Sequence, residues 1–148
     1  MDLQFVSYLL ILTAIILFIV TFHLTKRDEK YITIRIGNKT IKAEIADTPA
    51  KMMIGLMKKD NITFDEGMIF IFEREGYPGF WMLNMSFPID IIWIDKDRRI
   101  VDITKDAEPC LLNCTIYKPK EKVLYVLEVK AGFVDKYKIN EGMRVKFY

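Results

Sequence analysis

The hydrophobic pattern divides the chain into two unequal parts. From Leu3 to Leu24 the residues read LQFVSYLLILTAIILFIVTFHL without a formal charge. A helix over that run rises about 33 Å, against about 30 Å for the hydrocarbon core of a bilayer. Ser7, Thr13 and Thr21 suit that setting because a hydroxyl bonds back to a carbonyl one turn earlier. Tyr8 and His23 fall near the two ends, where amphipathic rings fit an interface. A cleaved export signal is the competing reading. Against it stand the missing basic start, the length of the apolar run and the lack of a small-residue cleavage pattern before Lys26. The expectation is a single transmembrane anchor over 1–25 that meets membrane lipid through residues 3–24. A charged linker over 26–30 and one globular domain over 31–148 follow.

Beyond Lys30 the pattern changes to strand-length runs. Tyr31–Ile36 alternates and is rich in β-branched residues, which predicts a strand. Gly37-Asn38-Lys39 turns the chain into a second strand over Thr40–Ile45. Asp47-Thr48-Pro49 opens a helix with a capping side chain and proline at the first helical position. Met53, Leu56 and Met57 continue it at helical spacing, and Lys58 and Lys59 suit its C-terminal end. Further strands are predicted over Met68–Phe72, Gly79–Met85, Ile89–Ile94, Arg99–Ile103, Val123–Val129 and Met143–Phe147, with a short helix over Phe133–Tyr137. Ile89–Ile94 is apolar on both faces, the mark of a central strand covered on both sides. Strands in succession with few helices between them predict an α+β fold. Its mostly antiparallel, barrel-like sheet would carry one or two short helices and be preceded by the single transmembrane helix.

Charge and composition narrow the function classes. The 148 residues carry 22 Lys+Arg against 20 Asp+Glu, and the one histidine, His23, closes the apolar run. So even a balance gives no argument for a nucleic-acid partner. A globular part without histidine also has no imidazole base and no His-bound metal. No cofactor is implied. Signals for the compartment conflict. Lys26, Arg27 and Lys30 follow the span with nothing basic before it, which points the globular part to the cytoplasm. Cys110 and Cys114, a close pair without metal partners, fit a disulfide in an oxidising compartment. Four of the five asparagines, Asn38, Asn61, Asn84 and Asn113, begin an N-x-Ser/Thr triplet. Such triplets indicate an exported surface where they are exposed, and Asn84 is expected to be covered. The expectation is a single-pass membrane protein with an extracytoplasmic domain.

Five segments carry a resemblance: KMMIGLM (51–57), EGMIFIF (66–72), FWMLNMSFPIDIIWID (80–95), EPC (108–110) and YVLEVKAGF (125–133). Together they resemble the family catalogued as domain of unknown function 192, from roughly Lys42 to the C-terminus. The block running from Trp81 through Asn84 to Pro88-Ile89-Asp90 is its most specific part. The resemblance implies a small barrel-like α+β domain of prokaryotes, often behind an export signal or membrane anchor, and it implies no reaction. The chain departs from the family pattern at three positions: Leu83 replaces a common lysine, and Arg98 and Lys138 stand where glycine is frequent.

Candidate chemistry concentrates in three places, each with a structural alternative. Asp90 and Glu128 are carboxylates on apolar strand faces, where an acid either finds partners or has its pKa raised. If adjacent, they form a possible acid/base pair of the glycosidase kind; otherwise they tie down amides or pair with Lys or Arg. Tyr77, Phe80 and Trp81 place three aromatics among turn-forming residues beside Asn84. The set can bind a small ligand or envelope polymer by stacking and hydrogen bonding, or simply plug the end of the sheet. Seven methionines, Met52, Met53, Met57, Met68, Met82, Met85 and Met143, can hold a soft cation with the cysteines or serve as core filler, and core filler is the reading adopted. The functional readings are a ligand- or polymer-binding module at the membrane surface, a hydrolase using the carboxylate pair, and a scaffold docking on another membrane component.

Overall fold

The computed structural model describes residues 3–24 and 30–148. Helix α1 (Leu3–Leu24) forms over the predicted apolar run, and the Thr13 hydroxyl donates to the Leu10 carbonyl at 2.9 Å. Its predicted role is corrected. Among the described residues no helix is long and apolar enough to cross a membrane. That finding overturns the expected transmembrane anchor over 1–25 and the expected single-pass membrane localisation with an extracytoplasmic domain. Of the predicted linker, all but Lys30 lies outside the described residues.

Strands β1 (Tyr31–Ile36) and β2 (Lys39–Ala46) form the predicted hairpin. Thr48 caps α2 (Pro49–Ile54), its hydroxyl accepting from the Lys51 amide at 3.3 Å. The helix stops a turn earlier than the methionine spacing suggests. Gly55 adopts φ +50°, a left-handed conformation that ends the α-ladder and puts Leu56 and Met57 in the following turn. Strands β3 (Glu66–Gly76), β4 (Ile89–Ile94), β5 (Ile100–Ala107) and β6 (Val123–Lys130), helix α3 (Phe133–Lys136) and strand β7 (Val145–Phe147) complete the chain.

One seven-stranded sheet runs in the order β5-β4-β6-β3-β2-β1-β7. Every pair is antiparallel except β2 with β3, which is parallel across the connection that holds α2. The sheet is therefore mixed, because a parallel neighbour needs a long crossover and residues 47–65 supply it. The two edge strands approach each other. The Ile100 amide donates to the Met143 carbonyl at 2.9 Å and the Val145 amide to the Arg98 carbonyl at 2.8 Å, curling the sheet into a half-barrel. Arg98 (φ 61°) and Lys138 (φ 53°), the two positions where the family resemblance predicts glycine, both adopt left-handed backbone.

The predicted strand over Gly79–Met85 is not a strand. Only isolated bridges, Phe80 to Tyr117 and Leu83 to Cys110, form there, and Asn84 at φ 55° breaks the extended run. β4 is buried at every residue, as its two apolar faces require. Its inward face joins Ile34, Ile41, Leu127 and Phe133 in a core capped by α3. Its other face joins Met68, Phe70, Met82 and Val126 in a second core, covered by the α2 turn and the 77–88 segment. The candidate site lies in that second layer.

Candidate functional site

Three acids are buried among the described residues, and their surroundings differ. Asp102 accepts from the Ile103 amide at 2.9 Å and the Lys120 amide at 3.0 Å, and pairs with Lys120 Nζ at 2.9 Å. Asp90, 1% exposed, accepts from the Asp106 amide at 3.0 Å through Oδ1 and from the Val134 amide at 2.9 Å through Oδ2. It thereby ties the end of β5 and the start of α3 to β4. Glu128, 5% exposed, has an Oε2 with no hydrogen-bond partner among the described residues. Burial pushes its carboxyl up to about 8, so it is predominantly protonated at neutral pH.

Strand register explains the difference. Glu128 lies opposite Met68 of β3 and Ile91 of β4, while Asp90 lies opposite Val129. Directly opposed residues share a face and successive residues alternate, so Asp90 and Glu128 point to opposite faces of the sheet. No water or substrate atom on one face reaches both, so the geometry gives the carboxylate-pair hydrolase no shared reaction centre.

Glu128 lines a cavity of about 130 Å³. One wall is α2 and its C-terminal turn, Met52–Met57; the others are Phe70 and Phe72 of β3, the Pro78–Trp81 segment and Met85. The α2 turn keeps the space open because Gly55 has no side chain there. A Cβ on it would sit 3.9 Å from Glu128 Oε2 and 3.5 Å from the Phe70 ring. Phe80 is fixed twice over. Its backbone exchanges two hydrogen bonds with Tyr117 (2.9 and 2.8 Å), and its ring meets Phe70 and Trp93 edge-to-face at 4.8 and 5.4 Å. At the mouth Trp81 is 50% exposed and Met53 71% exposed. Among the described residues, the cavity is thus lined by apolar, aromatic and thioether side chains with a single ionisable group.

The structure brings Phe80, Trp81, Glu128 and four of the named methionines to one concavity and leaves Asp90, Tyr77, Asn84, Cys110 and Cys114 outside its lining. Tyr77 is exposed next to the lining residue Pro78. Asn84 is exposed in a left-handed turn, with its amide donating to the Cys110 carbonyl at 3.1 Å. Asn38, Asn61 and Asn113 are exposed too, so the expectation that Asn84 is covered is corrected. Cys110 and Cys114 form a disulfide with Cα atoms 5.6 Å apart. Met52, Met53, Met57 and Met85 line the cavity, whereas Met68 and Met82 are core residues. Among the described residues, no three His, Cys, Asp or Glu side chains cluster as a metal site. Sequence reasoning missed Gly55, Phe70 and Phe72 as cavity residues. Their only signals are a glycine after a capped helix and apolar alternation, which any core strand shares.

A half-barrel of mixed sheet with its cavity under a short capped helix defines a small α+β domain. The chain belongs to the DUF192 family (Uncharacterized ACR), whose pattern matches residues 32–147. It is 36% identical to a UPF0127 protein of Thermococcus gammatolerans over 67% of this chain and 61% of that protein. Identity to a UPF0127 protein of Pyrococcus horikoshii is 31% over 72% of this chain and 88% of the relative. The chain spans about 60% of the length of the Thermococcus relatives it matches. Among solved structures it is similar to a protein of Sinorhizobium meliloti described as a putative transcription regulator (30% identity, TM-score 0.75, covering 79% of this chain and 93% of that one). It is also similar to a protein of unknown function from Novosphingobium aromaticivorans (30%, TM-score 0.74, covering 78% and 84%). The family is uncharacterised, so membership fixes the fold and not a reaction.

Proposed function

We propose that this domain is a small-ligand-binding module whose ligand enters between α2 and the Pro78–Trp81 segment and ends against Glu128. One observation carries the reading: a buried carboxyl whose Oε2 lacks a partner, facing a cavity with room for a guest. Burying a polar atom without a partner costs about 1–3 kcal/mol, and a ligand atom bonded to it recovers that cost. A cavity of about 130 Å³ admits an apolar group near the size of benzene. That favours a compact ligand over a polymer lying along the aromatic segment, since Tyr77 and Asn84 fall outside the lining.

The test uses compact probes that carry one polar atom, such as butan-1-ol, butylammonium and phenol, titrated into the ¹⁵N-labelled full chain. The expected result is saturable shifts at Gly55, Phe72 and the Trp81 indole with at least one probe, abolished in Trp81→Ala while the rest of the spectrum stays folded. Shifts spread over the molecule, or none at millimolar probe, would overturn the reading.

A further inference from the structure

Resting on that reading of the pocket, we propose that its ligand is an organic cation: an alkylammonium group with at least one N–H, held by Glu128 and flanked by Phe70, Phe72, Phe80 and Trp81. Three observations converge. Glu128, whose Oε2 has no partner among the described residues, lines a space to which they contribute no Lys, Arg or His, so none of them neutralises a carboxylate there. Four aromatic rings surround the same space, and ring faces attract a cation more strongly once it is desolvated. Thioethers of four methionines supply polarisable rather than positive surface. An anion entering this space meets no positive charge. A neutral ligand hydrogen-bonds to the protonated carboxyl but leaves the attraction of the rings unused.

Binding then includes a defined proton movement. The Glu128 carboxyl O–H proton leaves to solvent, the carboxylate accepts an N–H of the ammonium, and the ligand keeps its charge. Among the described residues, Glu128 is the only titratable side chain lining the cavity. Lys51 and Asp47, at the start of α2, pair with each other at 3.0 Å outside the lining, and Glu73 and Arg74 of β3 line a neighbouring groove. From β6 itself and from β4 its closest register neighbours are Leu127, Val129 and Ile91, none of them charged.

Butylammonium, butan-1-ol and butanoate form a matched set of one chain length in three charge states. Titrated into the full chain at about pH 6.5, butylammonium is expected to bind at least roughly tenfold more tightly than butan-1-ol, with butanoate weakest. Its affinity rises between about pH 6.5 and pH 8, because less proton has to be displaced. The ¹³C resonance of the Glu128 carboxyl moves to its ionised position at saturation. In Glu128→Gln the preference for the cation disappears while the alcohol still binds. The inference is overturned if the alcohol binds as well as the cation, if affinity falls as pH rises, or if Glu128 stays protonated in the complex. If none of the three probes binds, the pocket reading itself fails, which is a different result.

Discussion

Asp90 and Glu128 occupy neighbouring strands one register step apart and face opposite sides of the sheet. That single step separates a structural acid from a candidate binding acid. Each oxygen of Asp90 accepts from a backbone amide of a distant segment, whereas Oε2 of Glu128 has no partner among the described residues.

Replacing Asp90 tests its structural role. Asn keeps the shape but puts an NH₂ against one of the two amides, leaving a buried donor unpaired. Asp90→Asn is expected to lower unfolding free energy by about 2–3 kcal/mol in urea titration, since hydrogen bonds to a charged group contribute about that much. Binding at the Glu128 cavity is expected to survive.

Glu128 makes stability depend on pH with a definite sign. Its carboxyl titrates near 4.5 in the unfolded chain and at about 8 in the folded one. Between those values the folded state keeps a proton that the unfolded state has lost. Its contribution is therefore complete below about 4.5, declines through the window and is gone above about 8. The loss is about 1.4 kcal/mol per pH unit and about 5 kcal/mol in all. Comparing Glu128→Gln with the parent chain across that range isolates the effect. The parent should lose stability relative to the variant as pH rises, and parallel curves would contradict the burial.

Gly67 lies in β3 beside the same strand. A Cβ there would stand 2.7 Å from the Glu128 carbonyl oxygen and 3.3 Å from Val129 Cγ1. Because the nearest atom is backbone, relief requires β3 and β6 to part. Gly67→Ala is expected to cost about 3 kcal/mol, read as a lower urea midpoint, with faster amide exchange across the β3–β6 ladder.

Lys138 follows α3 with φ 53°, and its amide donates to the Asp135 carbonyl at 3.3 Å. Glycine takes this conformation without a Cβ penalty. Lys138→Gly is expected to raise the thermal midpoint, with a gain of about 1 kcal/mol from relieved left-handed strain. A fall in the midpoint would show that the side chain contributes more than the backbone strain costs.

The Cys110–Cys114 disulfide closes a loop of sequence separation 4. So short a loop restricts the unfolded chain little, so Cys110→Ser with Cys114→Ser is expected to cost about 2 kcal/mol. The Cys110 amide also donates to the Met82 carbonyl at 3.0 Å, and its carbonyl accepts from the Asn84 amide at 3.1 Å. Amide exchange should therefore quicken over 82–84, while fluorescence of the buried Trp93 stays unchanged.

Local order was legible in the chain itself. The alternation of Tyr31–Ile36, the Thr48-Pro49 cap and the doubly apolar Ile89–Ile94 each specify an element through forces acting within a few residues, and each element is present. The bounds that went astray have local causes too. Left-handed backbone at Gly55 shortens α2, and at Asn84 it breaks the expected strand.

What the chain by itself determined is which residues seek burial and where it turns: period, caps and charge act at short range. Only tertiary structure decided that β2 runs parallel to β3, that Asp90 and Glu128 face away from each other, and that Gly55, Phe70 and Trp81 meet around one carboxyl. The first outcome depends on the crossover that carries α2 over the sheet, and the others on strand register, which a one-residue shift reverses for every side chain. Register is fixed by the packing of both faces at once, not by any stretch of sequence alone.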